Sequence, residues 1–405
     1  MCMKNYKLME NKWIRGAIPA LLIHCCIGTV YCWSLLKGNI ATLMGTSVSS
    51  IEFAFSLAIF FLGMSAAFGG RFVEKNVKRS SLLAMLCFSG GLLGTIYAIN
   101  LQSVPLLFLF YGGIMGIGLG LGYLSPVKTL MLWFSEHKGL ATGIAISGFG
   151  LSKALFSPFI TWCNDAYGVT TTLACISGVA ILCMGAASWL IRKPKNWHED
   201  TEKFSVSGAL KTILNPVYLK IWLVFYLNIT CGLALIAFEK DLAQISGLGW
   251  IGLLASLTAI FNTLGRFGYS TVSDWIKDKS KVYLTIFGTS ILAMILPIVF
   301  GIKIAIIVVM LCIINAGYGG GFSTLPTFLE SKFGMKKISM IHGFALSAWG
   351  WAGLSGNQLS NLVLNYYHGT FNDLFIVLCS LYILALFVTY EIHPRRFSRV
   401  SRKNL

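Results

Sequence analysis

Apolar residues run through this chain in long blocks separated by short polar joints. Runs of about 20 such residues, enough to carry an α-helix across a hydrocarbon core about 30 Å thick, fall at 16–36, 50–69, 81–99, 105–131, 139–162, 170–191, 221–238, 249–272, 282–301, 304–325, 339–363 and 373–391. Twelve membrane-spanning helices are therefore expected. One joint is long, RKPKNWHEDTEK followed by the amphipathic SVSGALKTIL, and it separates six runs from six. This predicts an N-terminal bundle at 1–191, a linker at 192–220 and a C-terminal bundle at 221–405. The first run lacks the short apolar core and small-residue cleavage site of a removable leader, so it reads as a true span.

Composition agrees with an all-α membrane protein. Of the 405 residues 56% are hydrophobic and only 12% charged, with a mean hydropathy of +0.73; a soluble domain carries about 25% charged residues. A net charge of +17 raises nucleic acid as a partner. Its distribution removes that reading, because all the Lys and Arg except Lys37, Lys128, Lys153, Lys240, Arg266 and Lys303 fall in joints on one side of the alternating spans or in the two tails. That side is the cytoplasmic one by the positive-inside rule, so both termini are expected in the cytoplasm. The 11 cysteines are scattered, without a CxxC pair or a His/Cys cluster, and read as small hydrophobes. No metal or cofactor is expected.

The two halves repeat at a constant offset of 200 residues: Gly120 with Gly320, Pro126 with Pro326, Gly143 with Gly343, Ser147 with Ser347, Phe149 with Trp349, Gly150 with Gly350, and acidic Glu74 with Asp274. Parallel duplication of a six-helix unit is the pattern of carriers whose substrate site lies at mid-membrane between the halves.

Against this apolar background, Lys153 in span 5 and Arg266 in span 8 stand out. A charge at bilayer depth costs about 2.5–3.5 kcal/mol on the lenient insertion scale and is normally paired or functional. Every acidic residue falls in a joint, a tail or an end turn of a run, so the expected partner of these cations is a bound anion. Arg266 has the planar fork that suits a carboxylate. Lys128, a turn or so from the end of span 4, reads as interfacial. His24 in span 1 is the one intramembrane group suited to carrying a proton. The glycines of GGIMGIGLGLGY and GYGGGF follow no strand, so they read as close helix packing rather than phosphate binding. Tyr31, Tyr123 and Trp349 lie in small-residue neighbourhoods and are candidates to wall a cavity. Arg71 and Glu74 after span 2, and Asp274 after span 8, form a candidate cytoplasmic gate.

Several motifs in order carry a resemblance: IGTVYCWSLL, the long stretch from YGGIMGIGLGLGYLSP to ISGFGLSKALFSPF, NTLGRFGYSTVSD, and GYGGGFSTLPTFLESKFG leading into IHGFALSAWGWAGLSG. The chain resembles the oxalate:formate antiporter family of the major facilitator superfamily over nearly its whole length. The resemblance implies two pseudo-symmetric six-helix bundles working by alternating access on small carboxylates, at the inner membrane of a bacterium. It implies that Arg266 matches the family's substrate arginine and that Tyr31, Tyr123, Trp349, Tyr318 and Phe322 match cavity positions. Two departures stand out. Ala352 occupies the place of the oxalate carrier's lysine, so Lys153 on the pseudo-symmetric helix is the candidate for a second positive charge. Asn262 stands where proton-coupled monocarboxylate carriers have an aspartate. The expected function is a non-enzymatic carrier, acting as a monomer in the lipid bilayer, that exchanges formate, pyruvate, lactate or oxalate-like anions; proton symport is the alternative, and a transporter-like carboxylate sensor a third.

Overall fold

A computed structural model describes residues 11–195, 206–236, 238–247, 251–335 and 338–392. The tails and the middle of the expected linker lie outside the described residues.

Twelve long helices, here α1–α12, cross the molecule. Their bounds are Trp13–Met44, Val48–Lys75, Val77–Asn100 and Val104–Trp133 for α1–α4, and 138–167 and 169–190 for α5 and α6. Pro216–Ile236, Ile251–Trp275, Ser280–Phe300, Ile304–Phe333, Ile338–Asn361 and Phe371–Ile392 are α7–α12. Among the described residues nine stretches are apolar and long enough to cross a bilayer. One of them, Lys138–Leu190, has 53 residues and would be about 80 Å long as a single helix. It breaks at Gly168, whose φ of 81° and ψ of 170° suit a residue without Cβ, and so supplies two spans. The helices α8 and α11, diluted by Asn262, Arg266, His342 and many Ser and Gly, complete the set of twelve expected from sequence.

The spans run further than the apolar blocks, since α2 continues to Lys75 and α10 to Phe333. Their last turns extend beyond the apolar blocks and carry Glu74 and Glu330. Within α1 the segment Gly28–Cys32 tightens to 3-10 geometry; such a stretch inside a long helix turns the residues beyond it, and here it carries Tyr31. Two short helices lie outside the spans, Val206–Ile213 before α7 and Glu239–Ile245 before α8.

The two bundles meet along α2 against α11 and α5 against α8. These pairs are equivalent under the offset of 200, and each has a glycine facing the matching carbonyl oxygen of its partner. A Cβ on Gly143 would sit 3.5 Å from the Arg266 carbonyl oxygen, and one on Gly343 would run into the carbonyl oxygen of Ala66, the register mate of Arg266. The backbone is thus nearly two-fold. Arg266 against Ala66 is where the side chains break the symmetry.

Candidate functional site

The helix crossing sets the site. Arg266, in the interior of α8, is 1% exposed and lies against Gly150 of α5; a Cβ added there would sit 3.1 Å from its Cδ and Nε. Asn262, one turn earlier on α8, accepts a hydrogen bond from Arg266 Nε at 2.7 Å. The guanidinium carbon lies 5.8 Å from the ring of Phe149 on α5 and 5.1 Å from that of Phe322 on α10, within cation–π range on both sides. One ring comes from each bundle, so the charge sits at the seam between them.

Aromatic residues close round it. Trp349, wholly buried on α11, meets Phe322 at 4.6 Å, Tyr123 at 5.6 Å and Phe149 at 5.7 Å between ring centroids. Tyr318 packs on Phe322 at 5.1 Å, and its hydroxyl is 3.5 Å from that of Tyr31. Tyr31 lies edge-on to Phe149 at 5.2 Å, with its hydroxyl within reach of the guanidinium. The structure brings Arg266, Asn262, Tyr31, Tyr123, Trp349, Tyr318 and Phe322 into one cluster.

The polar atoms of this cluster are unbalanced. Arg266 Nη2, Trp349 Nε1, the Tyr123 hydroxyl and His342 Nε2 are buried without a hydrogen-bond partner. The first two can only donate and the third can donate. Arg266 Nη1 reaches the Ile146 carbonyl oxygen only at 3.5 Å, the outer limit of a hydrogen bond. Buried donors left unmade cost about 1–3 kcal/mol each. The cluster has room in its chemistry for a group that is all acceptors.

Two residues escaped the sequence reading. Phe149 is the hub of the rings, and the only sign of it was its register pairing with Trp349. His342 on α11, 2% exposed, lies 6.0 Å from the Tyr123 ring.

Lys153 requires a correction. It follows Phe149 and Gly150 by four and three residues, so it shares their face of α5 but stands one turn further along the helix. Its charge acts on Glu239, at the start of the short helix before α8, and on Cys32. Glu239 is largely buried and accepts a hydrogen bond from the Thr258 hydroxyl at 2.5 Å. Burial pushes its carboxyl up from the ordinary range, while Thr258 and Lys153 pull it back. An acidic residue is thus placed to offset Lys153 after all, because the short helix folds back over the bundle.

Lys128 is also not a simple interfacial residue. It is 4% exposed and pairs with Glu74 at 3.7 Å. Glu74 in turn accepts from the backbone N–H of Ser339, at the start of α11, at 3.0 Å. Asp274 accepts from the backbone N–H groups of Gly139 and Leu140, at the start of α5, at 2.7 and 2.9 Å. Each acidic residue of the candidate gate therefore caps a helix of the opposite bundle, where the exposed N–H groups and the helix dipole favour an anion. The two caps are themselves related by 200 residues. Lys138 pairs with Glu330 at 2.7 Å beside them. Arg71 lies on the exposed face of α2, one turn before Glu74.

With this geometry in view, the comparisons decide the family. The sequence pattern of the Major Facilitator Superfamily matches residues 20–357. The chain belongs to that superfamily. The facilitator is 26% identical over 403 residues to the oxalate:formate antiporter of Oxalobacter formigenes, covering 96% of this chain and 93% of the relative. It is 26% identical over 205 residues to monocarboxylate transporter 13 of Rattus norvegicus, covering 47% of this chain and 44% of that one. Among solved structures it is similar to the facilitator FucP in the outward conformation, with a TM-score of 0.72, 12% identity, and coverage of 93% of this chain and 98% of that chain. This last likeness concerns the fold. The protein is a multi-pass membrane transporter.

Proposed function

We propose that this facilitator carries small carboxylate anions, formate, pyruvate, lactate or an oxalate-like relative, by exchanging one anion for another. One observation carries the reading: a guanidinium at the seam of the two bundles, with a buried N–H free and unmatched aromatic donors around it. A carboxylate accepts up to four hydrogen bonds and cancels the charge. The likeness to the oxalate:formate antiporter supports the same class. Among the described residues the paired caps lie at one end of the seam, which fits alternating access, in which that end opens while the other closes. We place the carrier in a bacterial inner membrane, as a monomer with both termini and the capped end in the cytoplasm, and with its bundles at 1–191 and 221–405 joined by a linker at 192–220.

Purified protein reconstituted in vesicles tests this directly. Labelled formate, lactate, pyruvate and oxalate are offered with and without an unlabelled carboxylate inside. Uptake that requires the internal anion and ignores an imposed pH gradient is expected for exchange. Absence of uptake for every probe would sink the carboxylate reading. A second reading, coupling to protons, is favoured by His24, whose two ring nitrogens meet the carbonyl oxygens of Ala145 and Tyr123; uptake driven by an imposed pH gradient alone would support it over exchange.

In this scheme Lys153, half-buried one turn outside the cluster, gathers anions without holding them. Lys153→Met should raise the half-saturating carboxylate concentration several-fold, about the worth of one partly screened charge, and leave maximal exchange within about twofold. Complete loss of exchange would instead make Lys153 a direct ligand.

A further inference from the structure

The caps at Glu74 and Asp274 are equivalent in backbone, but what lies behind them is not. Asp274 accepts from the N–H groups of Gly139 and Leu140, and on its side the register mates of Lys128, Ser339 and His342 are Phe328, Gly139 and Thr142. None of these is charged, and Thr142 turns its hydroxyl to the Gly139 carbonyl oxygen. A cap of this kind is therefore built in one half without a buried cation. In the other half Lys128 is buried on α4, although taking an ammonium out of water is costly. The cap alone does not account for it.

Lys128 shares a small pocket with Ser339 and His342 of α11, in a wall that is otherwise apolar. Ser339 and His342 are each 2% exposed, and Ser339 Oγ and His342 Nε2 have no hydrogen-bond partner. An ammonium, a hydroxyl and an imidazole N–H can all donate to an anion. The carboxylate beside them in this closed form is the protein's own: Glu74 stands 3.7 Å from Lys128 Nζ and accepts from the Ser339 backbone N–H at 3.0 Å. While it is there, the pocket has no water-sized space. Lys128 comes from the N-terminal bundle, and Ser339 and His342 from the C-terminal one, so the group straddles the seam as the Arg266 cluster does. Tyr123 joins the two, its ring 5.6 Å from that of Trp349 and 6.0 Å from that of His342. Lys128 stands five residues further along α4, about 7.5 Å nearer the cap.

We propose that Lys128, Ser339 and His342 form a second binding site for the transported carboxylate, between Arg266 and the capped end, occupied by Glu74 when that end is closed and by the anion when it opens. The inference rests on the small-carboxylate reading above and adds a station to its path. As α2 draws away from α11, the start of α11 loses its capping carboxylate. An anion in the widened seam then takes up the Ser339 N–H and hydroxyl, the His342 Nε2–H and the charge of Lys128. Glu74 and the substrate compete for the same donors, so by linkage an anion arriving from this side favours the open cap. A returning anion is thus captured before it reaches Arg266, as exchange requires.

Equilibrium dialysis of labelled formate and lactate against the purified full-length protein tests the site. The unaltered chain should saturate at one anion, held by Arg266, because Glu74 competes for the second site. Glu74→Gln removes that competitor and should saturate at two. Adding Lys128→Gln to it should return the number to one, whereas adding Arg266→Ala should leave the anion at Lys128. Equal numbers bound by the unaltered chain and by Glu74→Gln, or a second anion that survives Lys128→Gln, overturn the proposal. Sided exchange, in vesicles of either orientation, needs no Glu74 variant. There Lys128→Gln should raise the half-saturating carboxylate concentration several-fold on the capped face and leave that of the opposite face unchanged, where a merely structural lysine would move both. Equal changes on the two faces, or none, overturn the proposal as well. An unaltered chain that binds neither probe overturns the carboxylate reading itself, and this inference with it.

Discussion

Arg266→Ala is expected to abolish carboxylate exchange, and to do so while making the protein harder to unfold. Truncating one partner of a buried, hydrogen-bonded charge pair costs about 2–5 kcal/mol, and every 1.4 kcal/mol is about tenfold, so carboxylate affinity should fall by about 30-fold to several thousand-fold. Arg266→Lys retains the charge but loses the planar fork and should recover only part of this. The empty protein behaves in the opposite sense. Its guanidinium is buried at the seam with Nη2 unsatisfied, Asn262 on Nε and two rings for company. A charge left at bilayer depth without a counter-charge is a standing cost, so Arg266→Ala should raise the thermal midpoint of the ligand-free carrier. It should also erase the stabilisation that a bound carboxylate confers on the unaltered protein. Uptake assays and thermal unfolding with and without carboxylate read the two effects separately. An Arg266→Ala carrier that still exchanges at the normal rate would show that the anion binds elsewhere.

Much of this arrangement is visible in the sequence, for reasons that differ from part to part. The spans were legible because a bilayer tolerates only long apolar helices, and even the less apolar α8 and α11 stood clear as runs. Their dilution comes from the candidate site, since Asn262, Arg266, His342 and Trp349 all lie on them. The constant offset of 200 residues paired Phe149 with Trp349, and these two register mates prove to touch. Phe149 itself was missed as a site residue because a phenylalanine in an apolar helix carries no mark of its surroundings. The candidate gate was half legible: Glu74 and Asp274 were conspicuous as acidic ends, but they also accept from backbone N–H groups at Ser339 and Gly139, which any sequence supplies. Glu239 was read as a joint residue, and only the folding back of its short helix shows that it meets the charge of Lys153.

Gly139→Val is expected to stop exchange without weakening carboxylate binding, because it acts on closure and not on the site. In the closed end of the seam a Cβ on Gly139 would collide with the carbonyl oxygen of Ser270 and stand 2.8 Å from Asp274 Oδ1 and Ser273 Oγ. None of these can give way cheaply: the first is helix backbone, and the second is the cap that holds Gly139 N–H at 2.7 Å. A valine therefore costs the closed form both the packing of α5 on α8 and the charged cap, the latter alone worth about 0.5–2 kcal/mol. A carrier whose two forms differ by only a few kcal/mol shifts almost wholly to the other one under such a penalty. Spin labels at the exposed positions 75 and 277, in a background with the native cysteines replaced, should show one dominant and longer separation in Gly139→Val, where the unaltered chain shows a distance that a carboxylate redistributes. Arg266 lies more than a full turn of α8 away from Ser270, so calorimetric binding of the same carboxylate should persist. Unchanged exchange in Gly139→Val would mean that the seam between α5 and α8 does not need to close at this end for transport, and that the matching caps at Gly139 and Ser339 hold the fold together without gating it.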